Sequence, residues 1–452
     1  MKYFCTIPKN KKLNLSVFAL LLTFIGSAQV SGISPYSRLG LGDINNQTSS
    51  TSIGYGGDNV SLSDYNQINL SNPATFSGFT KHLPVFELDF ASQLIKLSTT
   101  SGSSDVNATK FSKMALALPI NKNLGIALGL LPYATTNYDV TSENTVTGIG
   151  NVNYLFQGSG GLNRVFLGGG YKLINKDSIQ LSFGINSSLL FGNIEKSRKV
   201  EFPDDGIALN TILSQKTHIN GFNFEIGLHY SQILNKKMKL SLGGTISTLT
   251  KLNARREELK ATYTSTFDIE KIRDTLSYLS ENKGKITIPL SITFGASLNI
   301  NNNFDVFAQY KSQDWKNYEE DFSTPSIQDS LTSSSSVSGG IRYTPSNYYD
   351  KNPYYQKIQY RVGFRYSKTA LKYNNTQINE FGTSFGLGLP IKASPNSKDF
   401  FKSVSMINIG AELGTRGTTD NGLIKENFTN IYIGISIMPQ SKNKWFVKRK
   451  IN

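Results

Sequence analysis

The C-terminal stretch NIYIGISIM, Asn430–Met438, alternates between two kinds of side chain. Its regularly spaced apolar positions are Ile431, Ile433, Ile435 and Ile437. Because successive side chains of a β-strand point to opposite faces, this strand has one apolar face and one face of mixed, small or polar groups. The fold class depends on whether the apolar face meets a protein core or lipid.

The same alternation recurs upstream, which makes it a property of the whole chain. In FNFEIGLHY, residues 222–230, large apolar residues alternate with Asn, Glu, Gly and His. YRVGFRYS, residues 360–367, shows the same alternation of large apolar residues with polar residues and glycine. The second face is rich in Gly, Ser and Asn, whereas the water-facing side of a soluble sandwich would carry most of the charge. Lipid outside and a crowded polar lumen inside give this pattern. The sequence therefore predicts an all-β fold, an integral outer-membrane antiparallel β-barrel.

Fourteen segments have the character of strands, and the links between them alternate in length. Short turns such as INKN and NKK alternate with the long links 196–216, 254–283 and 316–333, as they do in outer-membrane barrels, although the turns 346–355 and 392–401 depart from this contrast. An even strand number places both termini on the periplasmic side. The predicted strands are residues 83–98, 110–120, 123–140, 149–174, 178–195, 217–234, 237–253, 284–300, 302–315, 334–345, 356–372, 376–391, 402–416 and 424–438.

One long link contains its own periodic pattern. FDIEKIRDTLSYL spaces five apolar residues at nearly helical intervals. This spacing predicts a small amphipathic helix, either capping the barrel or presenting a partner surface. The five residues are Phe267, Ile269, Ile272, Leu276 and Leu279.

The N-terminus predicts export across the inner membrane. Residues 1–28 combine four lysines, the apolar run LNLSVFALLLTFI and the small residues GSA, which together are typical of a secretory signal peptide. The apolar run is shorter than the roughly 20 residues that a spanning helix needs. The only cysteine, Cys5, precedes this run, so the mature chain has no thiol chemistry. We expect an integral protein of the cell outer membrane of a Gram-negative bacterium.

The net charge of +15 falls to +11 when the four signal-peptide lysines are removed. Five of the remaining positive charges lie in a basic tail, residues 439–452, for which a periplasmic location is expected. Export argues against a nucleic-acid partner, which leaves anionic lipid, a periplasmic partner or plain solvation of the tail. The five charges are Lys442, Lys444, Lys448, Arg449 and Lys450.

Residues 29–82 precede the first strand of the predicted barrel, residues 83–438, and are rich in Gly, Ser and Asn. A segment of about fifty residues is too long for a simple lead-in, so it is predicted to plug the lumen as a hatch. Charged residues on the polar face of neighbouring strands predict a salt-bridged lumen, and binding of a carboxylate head group is the alternative. These charges are Glu225, Asp305, Lys311, Arg342, Arg361, Arg365 and Glu412.

The predicted hatch also resembles a known family. GISPYSRLGLGD and INLSNPATFSGF resemble the hatch of FadL-like (long-chain fatty acid transport protein-like) outer-membrane proteins, with Asn72, Pro73 and Ala74 at the NPA motif. GSGGLNRVFLGGGYKL and GAELGTRGTTDNGLIKENF are similar to a subgroup of that family. The resemblance implies a 14-stranded barrel with a hatch. It also implies passive uptake of hydrophobic, fatty-acid-like ligands, which leave through a gap in the wall near a kinked strand.

A proline marks the candidate for that kink. Pro132 lies inside the strand GIALGLLPYATTNY and cannot donate to a β-ladder, so a local break in pairing is expected, either as a functional opening or as a structural bulge near the rim. The resemblance also implies a second role, an accessory or scaffold subunit of an assembly or secretion complex with other envelope proteins as partners. The predicted ligand-binding residues are Phe76, Phe79, Leu131, Pro132 and Tyr133.

Enzymatic and metal chemistry are not predicted. His82, His218 and His229 are scattered and lie in no ligand spacing, so neither a metal nor a cofactor is expected. His229 precedes Ser231 by two residues, but no third group of a nucleophilic triad can be identified. The sequence therefore favours a binding or transport protein whose partners are lipid and an apolar ligand.

Overall fold

The structure, a computed structural model, describes residues 34–45, 48–79, 83–203, 209–266, 269–322, 331–373, 376–393 and 403–438. The predicted signal peptide and basic tail, and His82, lie outside these residues. In the described part of the chain, no helix is both long and apolar enough to cross a membrane.

The described residues form 19 strands of one sheet and six short 3₁₀ helices. The strands are β1 Asp43–Ile44, β2 Val85–Ser98, β3 Ser103–Pro119, β4 Leu124–Thr135, β5 Tyr138–Val146, β6 Gly150–Asn175, β7 Ile179–Glu201, β8 Asn210–Asn235, β9 Met238–Ser247, β10 Thr250–Thr266, β11 Ile269–Ile288, β12 Ser291–Ile300, β13 Phe304–Asp314, β14 Glu319–Phe322, β15 Ser333–Tyr343, β16 Gln359–Tyr373, β17 Thr376–Ala393, β18 Val404–Arg416 and β19 Lys425–Ile437. The helices are Pro35–Arg38, Ile53–Tyr55, Pro73–Gly78, Trp315–Asn317, Tyr354–Lys357 and Asp420–Gly422.

Fourteen of these strands close into an antiparallel barrel, which confirms the predicted fold class. The closing pair joins the first and last barrel strands, from Phe86 opposite Ile437 to Ser98 opposite Lys425. The barrel strands are β2, β3, β4, β6, β7, β8, β9, β12, β13, β15, β16, β17, β18 and β19.

The isoleucines of β19 face away from the lumen. Ile433 is 47% exposed, whereas Tyr432 is 6% exposed and Ser436 is 1% exposed. Large apolar side chains also cover the outer faces of other barrel strands, such as Phe222 and Leu228 on β8. The apolar face of the quoted stretch is therefore the face toward lipid, as expected for strands that cross a bilayer.

The N-terminal segment lies against the inner face of the barrel, and glycines allow the contact. A Cβ atom on Gly184 would lie 2.3 Å from the backbone nitrogen of Ala74, and one on Gly363 would lie 2.1 Å from the backbone carbon of Tyr55. Only a residue without a side chain fits there. The glycine-rich inner face thus serves close packing of backbone on backbone, and we call residues 34–79 the hatch.

One side of the barrel rises far above the rest. The strand β8 has 26 residues, although about ten suffice to cross a bilayer. Its C-terminal half pairs with β9 and its N-terminal half with β10, which belongs to a further hairpin with β11. We call β5, β10, β11 and the adjoining upper halves of β6 to β8 the tall wall. The tall wall lies at the barrel end opposite the start of β2.

The prediction of an amphipathic helix in FDIEKIRDTLSYL is wrong. The stretch from Ile269 onward is strand β11, which pairs with β10 in a hairpin of the tall wall. Ile272, Leu276 and Leu279 are spaced by four and three residues in the sequence. At three places the register with β10 is irregular, and each irregularity adds one residue to β11. Bulges of this kind break the period of two and imitate a helical pattern. Phe267 lies outside the described residues.

Candidate functional site

The barrel wall has a gap between β3 and β4. Pairing between these strands ends at Met114 opposite Leu130, although β3 continues to Ser103 with β2 as its other neighbour. Two positions further along this register, Pro132 would lie opposite Ser112, and proline has no N–H to donate. Beyond that point β5 pairs with β6 alone among the described strands. The break in pairing therefore begins where the sequence predicts it.

A strand of the hatch occupies this gap. In β1, Asp43 lies opposite Thr135 of β4 and Ile44 lies opposite Ala134. The ladder continues with the N–H of Asn45, which donates to the carbonyl of Tyr133 at 2.8 Å. Thus β1 replaces β3 as the neighbour of β4 at this level.

The hatch also contacts the other side of the gap and the nearby wall strands β18 and β19. The hydroxyl of Ser112 on β3 donates to the carbonyl of Thr48 at 3.3 Å. The carboxylate of Asp43 forms an ion pair with Arg416 at 2.7 Å, and Ser34 donates to Glu426 at 2.5 Å. The gap is therefore closed by a hatch segment that is fixed at several points.

The predicted ligand-binding residues fall into two places. Phe76, Phe79 and Leu131 lie in one packed cluster between hatch and wall, and the two phenylalanine rings are stacked with centroids 6.1 Å apart. Tyr133 packs against a different cluster, which includes Leu41 and Leu162. Pro132 lies half-buried between them on β4. The structure thus brings three of the five together, in a region filled by protein atoms.

The NPA motif joins the hatch to itself and to the wall. Asn72 is fully buried, and its Oδ1 accepts a hydrogen bond from the N–H of Ala74 at the start of the 3₁₀ helix Pro73–Gly78. Its Nδ2 donates to the carbonyls of Val60 at 2.7 Å and Leu228 at 2.9 Å. One side chain therefore caps a helix and connects two hatch loops with β8.

The predicted lumen charges make the following contacts. Arg342 donates to Asp305 at 2.9 Å and to Asp64 of the hatch at 2.5 and 3.0 Å. Further contacts join Arg365 to Glu412 and Glu380, Glu225 to Arg164, and Arg361 to Gln359 and Asn408. Lys311 lines a lumen cavity.

The lumen contains a second charged group, which was not predicted from the sequence. Lys113 lies 2.5 Å from Glu87 and 3.4 Å from Asp89, and all three side chains are at most 3% exposed. The hatch donates to both carboxylates, from the N–H of Ile68 to Glu87 at 3.0 Å and from the Ser50 hydroxyl to Asp89 at 2.8 Å. Lys113 lies next to Met114, the last residue of β3 that pairs with β4, and therefore at the edge of the gap. We call these three side chains the Lys113 cluster.

Two cavities lie above the hatch on the side of the tall wall. One has a volume of about 250 Å³ and borders the gap, because Lys110 of β3, Asp43 of β1 and Thr135 of β4 line it. The other has a volume of about 300 Å³ and lies along the inner face of the tall wall. Gly40 and Leu41 of the hatch line both cavities, so the hatch forms the partition between them.

The two described histidines make structural contacts. His229 lies inside the barrel with Nε2 at 3.0 Å from the carbonyl oxygen of Ser61 in the hatch. His218, on the outer face of the tall wall, contacts Asn193 and Glu257. In the part of the chain that the structure describes, no group of three His, Cys, Asp or Glu side chains has the geometry of a metal site.

Several solved structures share this fold. A FadL homologue of Pseudomonas aeruginosa has a TM-score of 0.54 at 11% sequence identity, over 86% of this chain and 98% of that chain. The toluene transporter TbuX of Ralstonia pickettii has a TM-score of 0.52 at 14% identity, over 90% and 98%. The toluene transporter TodX of Pseudomonas putida has a TM-score of 0.51 at 15% identity, over 91% and 99%. These similarities confirm the FadL-like barrel fold.

The sequence comparisons give a more specific assignment. No curated protein matches the chain. The sequence model of the BamG family matches residues 10–452, which is nearly the whole chain. The chain therefore belongs to the BamG family, and its barrel has the fold of the FadL-type outer-membrane channels.

Proposed function

We propose that the protein is an outer-membrane channel for passive uptake of hydrophobic small molecules of the fatty-acid-like kind, and that β1 is its gate. The observation that carries this proposal is the gap between β3 and β4, occupied by a strand of the hatch. Two of the structural neighbours, TbuX and TodX, are named as transporters of an apolar compound, toluene, which supports the same proposal.

The gate is the weakest seam of the wall. Only two residue pairs join β1 to β4, whereas thirteen join β19 to β2. Backbone groups left unpaired in lipid cost several kcal/mol each, so the gap needs a strand while it is closed. Displacing β1 breaks its short ladder with β4 and the ion pair of Asp43 with Arg416, and it connects the lumen with the bilayer.

The two cavities and the gap define a route. The tall end is the outer one by the general rule that long connections face outward, so a ligand enters along the tall wall. Movement of Gly40 and Leu41 connects the two cavities, and the gap beside Leu131, Pro132 and Tyr133 is the exit. Transfer of apolar surface from water into lipid drives uptake without an energy source.

A disulfide between β1 and β4 is expected to abolish uptake. Ile44 and Ala134 are partners between two hydrogen-bonded pairs, where Cα atoms lie about 4.5 Å apart, which suits a disulfide. The mature chain has no cysteine of its own, so I44C/A134C introduces a single pair. In proteoliposomes, uptake of a fluorescent fatty acid should fall at least tenfold under oxidising conditions and return on reduction.

The matched control is a disulfide elsewhere in the wall. Ile409 and Ile433 are partners on the lipid face of β18 and β19, and the strands β2 and β3 separate this pair from the gap. I409C/I433C should leave uptake unchanged in both redox states. Equal uptake by oxidised and reduced I44C/A134C would contradict the gate, and absence of uptake in the reduced and native proteins would contradict the channel.

A second candidate function, a subunit of an envelope complex, is favoured by the hairpin of β10 and β11. Three apolar side chains, Ile269, Leu276 and Tyr278, are 72%, 66% and 62% exposed at a level above the lipid-facing band. Bilayer lipid does not cover them there, and exposed apolar patches mark interaction sites. Other envelope proteins are the partners that this surface fits.

Replacing Leu276 and Tyr278 by serine tests this second function. Native mass spectrometry of the protein, extracted from its own membrane in mild detergent, should show a stoichiometric complex for the native chain and a lone barrel for L276S/Y278S. The control S277A/S280A changes the same strand without removing apolar surface and should retain the complex. A native chain that is alone and carries an apolar molecule would instead support the channel.

A further inference from the structure

The outer face of the tall wall carries a row of basic side chains at one level. The register places His218 of β8 beside Arg255 of β10, and Arg255 beside Lys283 of β11. The side chains of Arg255 and Lys283 are 53% and 78% exposed, whereas the neighbouring Arg256 and Asn282 are buried on the inner face. Like charges directly opposite each other destabilise a sheet. The stability of the hairpin therefore does not account for this row.

An open groove lies along the same face. It has a volume of about 720 Å³, and three cationic side chains and one carboxylate border it. Glu281 lies 3.3 Å from Arg255 and 3.7 Å from Lys283, but ion pairs between exposed side chains are weak. Asn220 and Asn253 border the groove as well and supply amide donors. The charged groups at its border are Arg255, Lys283, Lys285 and Asp321.

The groove begins where the lipid-facing surface ends. On β8 the outward side chain two residues past Asn220 is Phe222, which is 61% exposed. The links into β10 and β12 carry Leu249 and Leu290, which are 53% and 42% exposed. The basic row therefore lies at the level of the lipid head groups, with an apolar surface for acyl chains directly below it.

We propose that this groove binds the phosphate group of an anionic lipid in the leaflet around the tall end. The lysines and the arginine neutralise the phosphate, the asparagines donate to its oxygens, and the acyl chains lie against the apolar band. Phosphate bound at Arg255 and Lys283 also reduces the repulsion between them, which the exposed carboxylate of Glu281 compensates only in part. This site lies on the outside of the wall, so it does not depend on the channel or on its gate.

Native mass spectrometry with a short-chain lipid tests the site. The purified barrel is titrated with dioctanoyl phosphatidic acid, with dioctanoylglycerol, which lacks the phosphate, and with inorganic phosphate. We expect one phosphatidic acid to be retained per barrel. K283Q/K285Q should weaken its binding about twenty-fivefold, because each of the two basic residues near an anionic lipid strengthens binding about fivefold. Both lysines lie on the exposed face, so the variant should fold normally.

The matched control removes the same charge at the other end of the barrel. Lys236 and Lys237 are adjacent exposed lysines in the turn between β8 and β9, and K236Q/K237Q should leave binding unchanged. An equal loss of lipid binding in both variants would show that only the net charge matters, and it would overturn the proposal. It would also be overturned if dioctanoylglycerol were retained equally well, or if inorganic phosphate displaced the lipid at similar concentration, which would indicate a site for the free ion.

Discussion

Replacing Gly184 by valine is expected to push the 3₁₀ helix Pro73–Gly78 off the wall and to make the barrel leak. A Cβ on Gly184 would lie 2.3 Å from two backbone atoms of the hatch, which no rotamer change can relieve. Overpacking of this kind costs about 1–3 kcal/mol, and here it acts on the contact that seats the plug. The conductance of the variant in planar bilayers should rise well above that of the native protein.

A neighbouring glycine supplies the control. Gly169 lies on β6, and its Cβ would meet only ordinary contacts, the nearest at 3.8 Å. G169V should keep the native conductance and the native shift on heating in SDS gels. If G184V and G169V conducted alike, the close packing of the hatch against the wall would not be what seals the lumen.

Replacing Lys113 by methionine is expected to have the largest effect on stability. The substitution leaves Glu87 and Asp89 buried without their cation, and removal of one partner of a buried ion pair costs about 3–5 kcal/mol. The free energy of unfolding, measured by urea titration in lipid vesicles, should fall by about that amount. Because Ile68 and Ser50 of the hatch donate to the same carboxylates, protease cleavage of the hatch should also become faster.

Two further variants show whether charge is the cause. Lys110 lies three residues earlier on β3 and borders the lumen cavity, but it does not belong to the Lys113 cluster. The free energy of unfolding of K110M should therefore fall by less than about 1 kcal/mol. Replacing Glu87 by glutamine in the K113M background should restore part of the stability by removing a buried charge. If K113M and K110M were equally stable, the Lys113 cluster would not hold the hatch.

The fold could be predicted from the sequence because its determinants are local and repetitive. The alternation in Asn430–Met438 and its equivalents depends only on neighbouring positions, and so does the break at Pro132. The hairpin of β10 and β11 could not be predicted, because its bulges are set by pairing with β8 and imitate a helix. The length of the link 254–283 argued against a helix, because its thirty residues suffice for two strands that continue the barrel wall.

The candidate site was only partly predictable for a related reason. Its contacts join residues that are remote in sequence, such as Asp64 and Arg342, which are 278 positions apart. The sequence marks a polar lumen face, but it does not say which hatch residue meets which wall residue. The ligand-binding roles of Phe76, Phe79, Leu131, Pro132 and Tyr133 remain predictions. Of the experiments proposed above, the I44C/A134C disulfide between β1 and β4 tests the region nearest to these residues.

The pairing of β2 with β19, which closes the barrel, bears on the order in which the hatch and the barrel assemble. The hatch contacts the last strand at both ends of the lumen, through Ser34 with Glu426 and through the Ser436 hydroxyl with the Asn66 carbonyl at 2.7 Å. Threading the hatch into a finished cylinder would force it past the close backbone contacts at Gly184 and Gly363. We therefore expect the cylinder to close last, around a hatch already in place. Any insertion machinery must hold an open, curved sheet until the final strand has been delivered.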